Sequence, residues 1–444
     1  MAQRKELLKA HAFTQQRLVA ALVDRDPDNP TPPLRRLGLG TFVSILVAAV
    51  IVGGFALFGY LAKPATAAWS QGNKGVVIVD TDSGVVFFTL DGKTITPATN
   101  ITSARLITGG DTIVKTTTSA LASAPRGPRY GIVEAPSQLP DKSTMKAFPM
   151  RVCSLPTATK NSRFTVLDFV APLAASDTAI GLQVGDHTYI VVNGIAHLIP
   201  DGSPLLGTAT VLRGTEAFLR SLPQGQEIKA FSDPAKGNKA HRGQHTVGTI
   251  VYTGDQNDKA TWNYYIQLMD GYSAISYLDA MVNSQTPTAA EASFVASNRS
   301  VESQNSATPD LPMGPVSFTT TDTTKTTVCA TYTADSADPR ITIGDTVAAP
   351  ADAKATPAVS TYDRVTTAPG AGALLQSLGT DPDGASFLIW QGRKYGIPDL
   401  VSRTSLGYAS GVDIGTVQPS LLSLVPDGLP AGVALDVAHA NNPA

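Results

Sequence analysis

Cysteine is nearly missing from this chain of 444 residues: Cys153 and Cys329 are the only two, and no further ligand types stand beside them at short spacing. A metal site built on clustered thiolates is therefore excluded. Charge is scarce as well, at 16% Asp, Glu, Lys and Arg, and the net charge is -2. The chain thus offers no basic field for nucleic acid and no acidic tail. No Gly-x-Ser-x-Gly elbow and no complete phosphate loop occur, and no carboxylate pair stands out as a glycosidase site. At roughly 150 residues per domain, the length leaves room for two or three domains.

Long apolar runs are limited to one. Leu37 to Ala62, LGLGTFVSILVAAVIVGGFALFGYLA, carries no charge over 26 residues and is flanked by Arg35, Arg36 and Lys63. As a helix it would extend about 39 Å, enough to cross a hydrocarbon core of roughly 30 Å with some tilt. The competing reading is a cleaved signal peptide, for which Ala-Thr-Ala-Ala at 65–68 would serve as the site. Against it, the run exceeds the h-region of about 7 to 15 residues that such peptides carry, and a long segment precedes it. Seven Lys and Arg lie in residues 1–36, whereas only Lys63 and Lys74 follow closely on the far side. The positive-inside rule then keeps the N-terminus in the cytoplasm and puts everything after residue 62 outside. Gly38, Gly40, Gly53, Gly54 and Gly59 would let a neighbouring membrane helix approach closely.

Ahead of the span, QRKELLKAHAFTQQRLVAALVDRD sets Leu7, Leu8, Leu18, Val19, Leu22 and Val23 on one broad helical face, with Glu6, Lys9, Arg17 and Asp24 opposite. An amphipathic helix is expected, ended by Pro27, Pro30, Pro32 and Pro33, which make a stiff link into the membrane. Such a helix has no core of its own, so Leu7, Leu18 and Leu22 are expected to dock on a partner protein, or else on the inner leaflet. Both cysteines fall in the external part, where two lone thiols most simply pair; two unpaired buried thiols are the alternative. A bridge would close a loop of roughly 176 residues, worth about 5 kcal/mol of chain entropy.

Beyond a linker at 63–74, one short grammar recurs. YIVVNGIAHLIP at 189–200 and FLIWQGRKYGIP at 387–398 both run from an aromatic residue through alternating apolar positions to a glycine tip and an Ile-Pro ending. Strand, tight turn and returning strand account for that pattern. GVVIVDTDSGVVFFTLDGKTITP and TWNYYIQLMDGYSAI supply two more copies, so the four tips are Gly92, Gly194, Gly271 and Gly392. Their unequal spacing excludes a propeller or solenoid. Each copy leads into a short helical segment, and hairpin plus helix can bury an apolar face only against a neighbour. A joining core is therefore expected from PRGPRYGIVEAPSQLP, QHTVGTIVYTG and TDTTKTTVCATYT, with Ser284 to Ala307 and Ala348 to Pro369 as exposed loops.

These segments carry a family resemblance along almost the whole chain. QRLVAALVDRDPDNPTPPLRR before the span, TSARLI after the first hairpin, APRGPRYGIVEAP with a lone cysteine after it, APGAGALL, the hairpin FLIWQGRKYGIP with LGY, and SLLSLVPDGLPAGVALD at the end resemble the EccB proteins of type VII (ESX) secretion systems. The resemblance implies a structural subunit of the inner-membrane secretion complex, with a disulfide between Cys153 and Cys329. It also implies self-association and partners: an FtsK/SpoIIIE-type ATPase (EccC), the multi-spanning EccD, EccE in some systems, and a membrane-anchored subtilisin-like protease.

The expected fold class is a membrane-anchored protein with one transmembrane α-helix and a large α+β extracytoplasmic domain, in which a β-rich core joins four hairpin-plus-helix repeat modules. Its parts are a cytoplasmic helix and Pro-rich link (1–36), the membrane helix (37–62), the linker (63–74) and the external domain (75–440), with modules near 75–110, 181–214, 261–284 and 386–410. No catalytic, cofactor or metal residues are assigned. ATP hydrolysis has been proposed for the family, but Gly92-Lys93-Thr94 lacks the first glycine of a phosphate loop, Phe87 standing in its place. His241 and His245 have the i, i+4 spacing of a metal pair without the Glu of a zinc protease, and Gly243 argues for a loop. His187 and His197 read as surface residues on the two arms of a hairpin. The rival function is a single-pass protein that binds or senses the cell envelope.

Overall fold

The computed structural model describes residues 2–23, 25, 35–61, 69, 75–110, 112–157, 162–169, 179–207, 209–301, 307–319, 326–344 and 361–444. The chain divides into a first unit, with two long helices and Ser119–Leu121, and a β-rich unit formed by Trp69–Thr118 and Ala122–Ala444. In the first, α1 spans Ala2–Val23 and α2 spans Arg35–Leu61. Within α2, Gly38–Phe58 has a mean hydropathy of 2.5 and none of it is buried. A helix that is apolar all round and uncovered is what a bilayer-spanning segment requires. The Pro-rich link, and the 63–74 linker apart from Trp69, lie outside the described residues.

The β-rich unit opens with an antiparallel meander of β1 (Val76–Asp80), β2 (Val86–Thr89) and β3 (Thr96–Pro97). The chain runs on through α3 (Ile101–Thr108), β4 (Ile113–Thr116) and α4 (Thr118–Leu121), β4 pairing parallel with β1. Next come β5 (Met150–Pro156) and β6 (Arg163–Asp168) of a different sheet. A second meander follows in β7 (Ile180–Val184), β8 (His187–Val192) and β9 (Ile195–Ile199), then a 3-10 turn at Pro204–Leu206, β10 (Val211–Arg213) and α5 (Glu216–Ser221). The third comprises β11 (Ile250–Thr253), β12 (Asn263–Leu268), β13 (Gly271–Ile275), α6 (Tyr277–Val282), β14 (Thr288–Ala289) and α7 (Ala292–Ser297). After β15 (Val328–Thr333), β16 (Ser336–Ile343) and β17 (Arg364–Thr366), the fourth runs β18 (Ala373–Ser377), β19 (Ser386–Trp390), β20 (Arg393–Ile397), α8 (Leu400–Ser405), β21 (Ile414–Val417) and α9 (Pro419–Ser423). A last turn, α10 (Val437–Ala440), closes the chain.

All four four-stranded sheets have one strand order. The first strand of each meander pairs antiparallel with the second and parallel with the fourth. A parallel neighbour demands a crossover, which the intervening helix or 3-10 turn supplies. An extended segment then runs parallel beside the third strand, through the bridges Ala98–Tyr130, Ala196–Gln224, Tyr272–Arg299 and Lys394–Asp427. That edge is thereby withdrawn from further pairing. The succession is longer than the expected hairpin plus helix. The third sheet starts at Ile250 and the fourth at Ala373, ahead of the expected 261 and 386. Ser284–Ala307 is not simply loop, since it holds β14 and α7, and β17 lies within Ala348–Pro369.

The crossover helices are too short to stand alone, six to eight residues where α3, α6 and α8 are concerned. Caps and packing hold them. Asn100 accepts the Ser103 amide at the start of α3, Ser276 and Asp279 form a reciprocal capping box on α6, and Asp399 accepts the Ser402 amide on α8.

The fifth sheet, ordered β16-β15-β5-β6-β17, packs between the second and the fourth. One face sends Met150, Val152, Leu167, Val328 and Ala330 into a cluster with Ile180, Leu182 and Val191 of the second sheet and Ala373, Leu375 and Ile389 of the fourth. Leu106 and Ile132 of the first sheet's region pack with Leu374 and Leu388 of the fourth. Ile190 and Val192 of the second pack with Leu278 and Val282 of α6 in the third. Contact therefore passes in the order first, fourth, central, second, third.

Candidate functional site

The hairpin tips explain themselves by what they touch. Asn193 and Gly194 have φ of 52° and 81°, and Gln391 and Gly392 have 50° and 80°. Positive φ at both central residues defines the type I′ turn, whose twist matches the flanking strands. A Cβ on Gly194 would overlap the carbonyl of Pro339 in β16, and one on Gly392 would stand 3.2 Å from the carbonyl of Val365 in β17. Those two strands are the opposite edges of the central sheet. The second and fourth sheets thus press their tips on the two ends of the same core. At the third tip, Gly271, a Cβ would overlap the Asn298 carbonyl. At the first, the Gly92 amide donates to Thr89 Oγ1 at 2.9 Å.

Cys153 and Cys329 face each other across β5 and β15 and are bonded, with Cα atoms 4.0 Å apart. Both are fully buried, in a small cluster with Leu155, Phe164 and Val166. Strand alternation puts this cluster on the face opposite Met150 and Val152. Buried charge lies nearby, where Arg151 Nε donates to Asp168 Oδ1 at 2.8 Å. Arg163 gives its Nη2 to the carbonyls of Ser154 and Thr326, and burial lowers its pKa to about 10.

The Gly92-Lys93-Thr94 loop is already filled. Asp91 Oδ1 accepts the amides of Lys93 and Thr94, each at 2.8 Å, and Asp91 Oδ2 accepts the Thr94 hydroxyl at 3.1 Å. The Thr94 and Lys93 amides hold this carboxyl down to about 2. Backbone amides that would cradle a phosphate are spent on a side chain of the loop itself. No group of three His, Cys, Asp or Glu poised for a metal occurs among the described residues. His241 is exposed in a turn, and His245 Nδ1 lies 2.7 Å from the Tyr272 hydroxyl. His187 is exposed as expected, but His197 is fully buried, its Nδ1 2.9 Å from the Gln226 carbonyl. Strand alternation turns that side chain inward, beneath the extended segment that covers β9.

On α1, Leu7, Leu18 and Leu22 are 70%, 60% and 77% exposed. The helix forms, but the expected one-sided pattern does not hold. At 100° per residue, Arg4, His11 and Gln15 fall among the leucines and Phe13 falls opposite them. The apolar face is continuous only over the last two turns, Leu18 to Val23.

A family model described as "Type VII secretion system ESX-1, transport TM domain B" matches residues 2–441. The chain belongs to the EccB family. Among curated proteins, "ESX-5 secretion system ATPase EccB5" of Mycobacterium tuberculosis is 27% identical over 297 residues, covering 61% of this chain and 57% of the relative. The Mycobacterium marinum protein of the same name is 25% identical over 299 residues, with the same coverage. The chain thus spans just over half the length of the curated relatives it matches. A chain of an intact ESX-5 inner membrane complex matches with a TM-score of 0.61 and 22% identity, covering 99% of this chain and 95% of that one. A chain of the EccB3 dimer from the ESX-3 core complex matches with a TM-score of 0.61 and 22% identity, over 82% and 99%. These likenesses establish that the EccB fold runs through both units.

Proposed function

We propose that this EccB-family chain is a structural subunit of a type VII secretion inner-membrane complex. The observation that carries the reading is the fold match over 99% of the chain to a chain of an intact ESX-5 inner membrane complex. The uncovered apolar helix Gly38–Phe58 supports an anchor, with residues 1–36 cytoplasmic and 75–440 outside the plasma membrane. The excess of Lys and Arg ahead of the span supports that orientation. The four like-ordered sheets act as repeated arms on the central sheet, and their surfaces, not a catalytic centre, do the work. Partners are the FtsK/SpoIIIE-type ATPase EccC, the multi-spanning EccD, EccE where present, a membrane-anchored subtilisin-like protease, and a second copy of this chain. The protein itself is not an enzyme and carries no cofactor, a reading supported by the spent amides of the Gly92 loop.

The test is purification of the tagged protein from its own membranes in mild detergent, with native sizing and mass spectrometry. Recovery in a megadalton-order assembly with an FtsK-type ATPase and a multi-spanning subunit is expected. Recovery alone, or with a regulator or wall fragments, would move the assignment to an envelope-binding or sensing protein.

A further inference from the structure

Helices α5 and α9 belong to different sheets yet bury Phe218, Leu219, Leu421 and Leu422 in one core cluster. Their outer ends leave a cleft of 410 Å³ lined by Arg220, Leu222, Pro223, Gln224, Gln418 and Ser420. Its volume lies within the ~300–1,000 Å³ usual for ligand sites. Because both walls are fixed in the same core, the cleft is preorganised.

The lining is chemically one-sided. Arg220 is half-buried, and its guanidinium has no hydrogen bond or ion pair among the described residues. No Asp or Glu lines the cleft. Gln418 precedes α9 but its side chain makes no capping hydrogen bond, so its amide is free to face the cleft. Gln224, by contrast, is spent, its Nε2 donating to the carbonyls of Leu219 and Leu222. Leu222 and Pro223 add apolar wall. A planar guanidinium with an unused amide and hydroxyl beside it, over apolar carbon, is the donor set that takes a carboxylate in bidentate fashion.

We infer that this cleft binds a carboxylate carried by a short peptide segment of a partner. Arg220 is the charge partner, and Gln418 and Ser420 hold the rest of the group in place. The source of the carboxylate, a chain end or an acidic side chain, is left to the experiment.

Three fluorescein-labelled peptides test it by polarisation against the full-length protein in detergent: Ala-Ala-Ala with a free C-terminal acid, the same peptide as its amide, and Ala-Glu-Ala amide. At least one acid is expected to bind tenfold or more tighter than the neutral amide, and whichever does names the source. Arg220→Gln should abolish that discrimination, whereas Arg213→Gln, an exposed arginine of β10 outside the cleft, should preserve it. Because Arg220 has no partner among the described residues, its replacement should leave the melting curve unchanged, and Gln418→Ala gives a second, milder variant that weakens acid binding. Equal binding of all three peptides by the unaltered protein overturns the inference. So does discrimination that survives Arg220→Gln.

Discussion

Three glycine-to-alanine substitutions separate the cost of backbone conformation from the cost of pressing on the central sheet. Gly185, in the turn between β7 and β8, has φ of 59° and open space around its missing Cβ. Alanine there should cost only the left-handed backbone, about 1–2 kcal/mol, partly offset by ~0.4–1 kcal/mol from a stiffer unfolded chain. Gly392 has the same conformational demand, and its Cβ would lie 3.2 Å from the Val365 carbonyl, so β17 must yield by a few tenths of an ångström. A total of about 2 kcal/mol is expected. Gly194 is the severe case, because the overlapping atom is a backbone carbonyl on β16 that cannot rotate away. Overpacking adds ~1–3 kcal/mol, giving about 3–4 kcal/mol in all. Urea unfolding followed by intrinsic fluorescence should rank the midpoints Gly185→Ala above Gly392→Ala above Gly194→Ala, at unchanged slope. If Gly194→Ala fell within about 0.5 kcal/mol of Gly185→Ala, the tip would not be pressing on the sheet and the argument would fail.

Joint replacement of Cys153 and Cys329 by alanine releases a loop of 176 residues. Chain entropy puts the loss near 5 kcal/mol, so the double variant's midpoint should fall well below that of the unaltered protein, and equal midpoints would contradict it. Asp80, held to about 2 chiefly by the Ser83 and Thr118 hydroxyls, and Asp91, held to about 2 by loop amides, both have depressed folded pKa values. Their stabilisation is present above the unfolded value of about 4 and is lost as pH falls through 2. An acid titration of the Asp80→Asn, Asp91→Asn pair should therefore be flatter over that window than that of the unaltered protein. Leu18→Asp with Leu22→Asp should release the chain from its complex while leaving it in the membrane; co-purification at the original yield would exclude α1 as a docking element. Lys93→Ala should leave nucleotide hydrolysis by the purified assembly unchanged, and a tenfold fall would show that the Gly92 loop does bind phosphate.

Much of this fold was legible where the signal is local. The apolar run from Leu37 announces α2, and Asn193-Gly194 between alternating apolar residues announces a hairpin with a tight turn. What escaped is what tertiary pairing supplies. Strands β10, β14 and β17 have two or three residues each, too few for any periodicity, and exist because a neighbour's edge completes them. Thr288–Ala289 and the six-residue α7 sit in an Ala- and Ser-rich stretch that reads as loop for the same reason. Polarity alone puts His197 at the surface, whereas a covering segment buries it. The cleft at Arg220 had no signal in sequence, since its walls come from helices about two hundred residues apart.

The bond between Cys153 and Cys329 also fixes how the protein carries load. It joins neighbouring strands at the middle of the central sheet, and the second and third sheets lie wholly within the loop it closes. Tension applied along the backbone from the membrane helix towards the C-terminus would reach Cys153, cross the sulfur bridge and continue from Cys329. The two enclosed sheets are shunted out of that path. They can rearrange without lengthening the chain under strain, and the first and fourth sheets bear the pull.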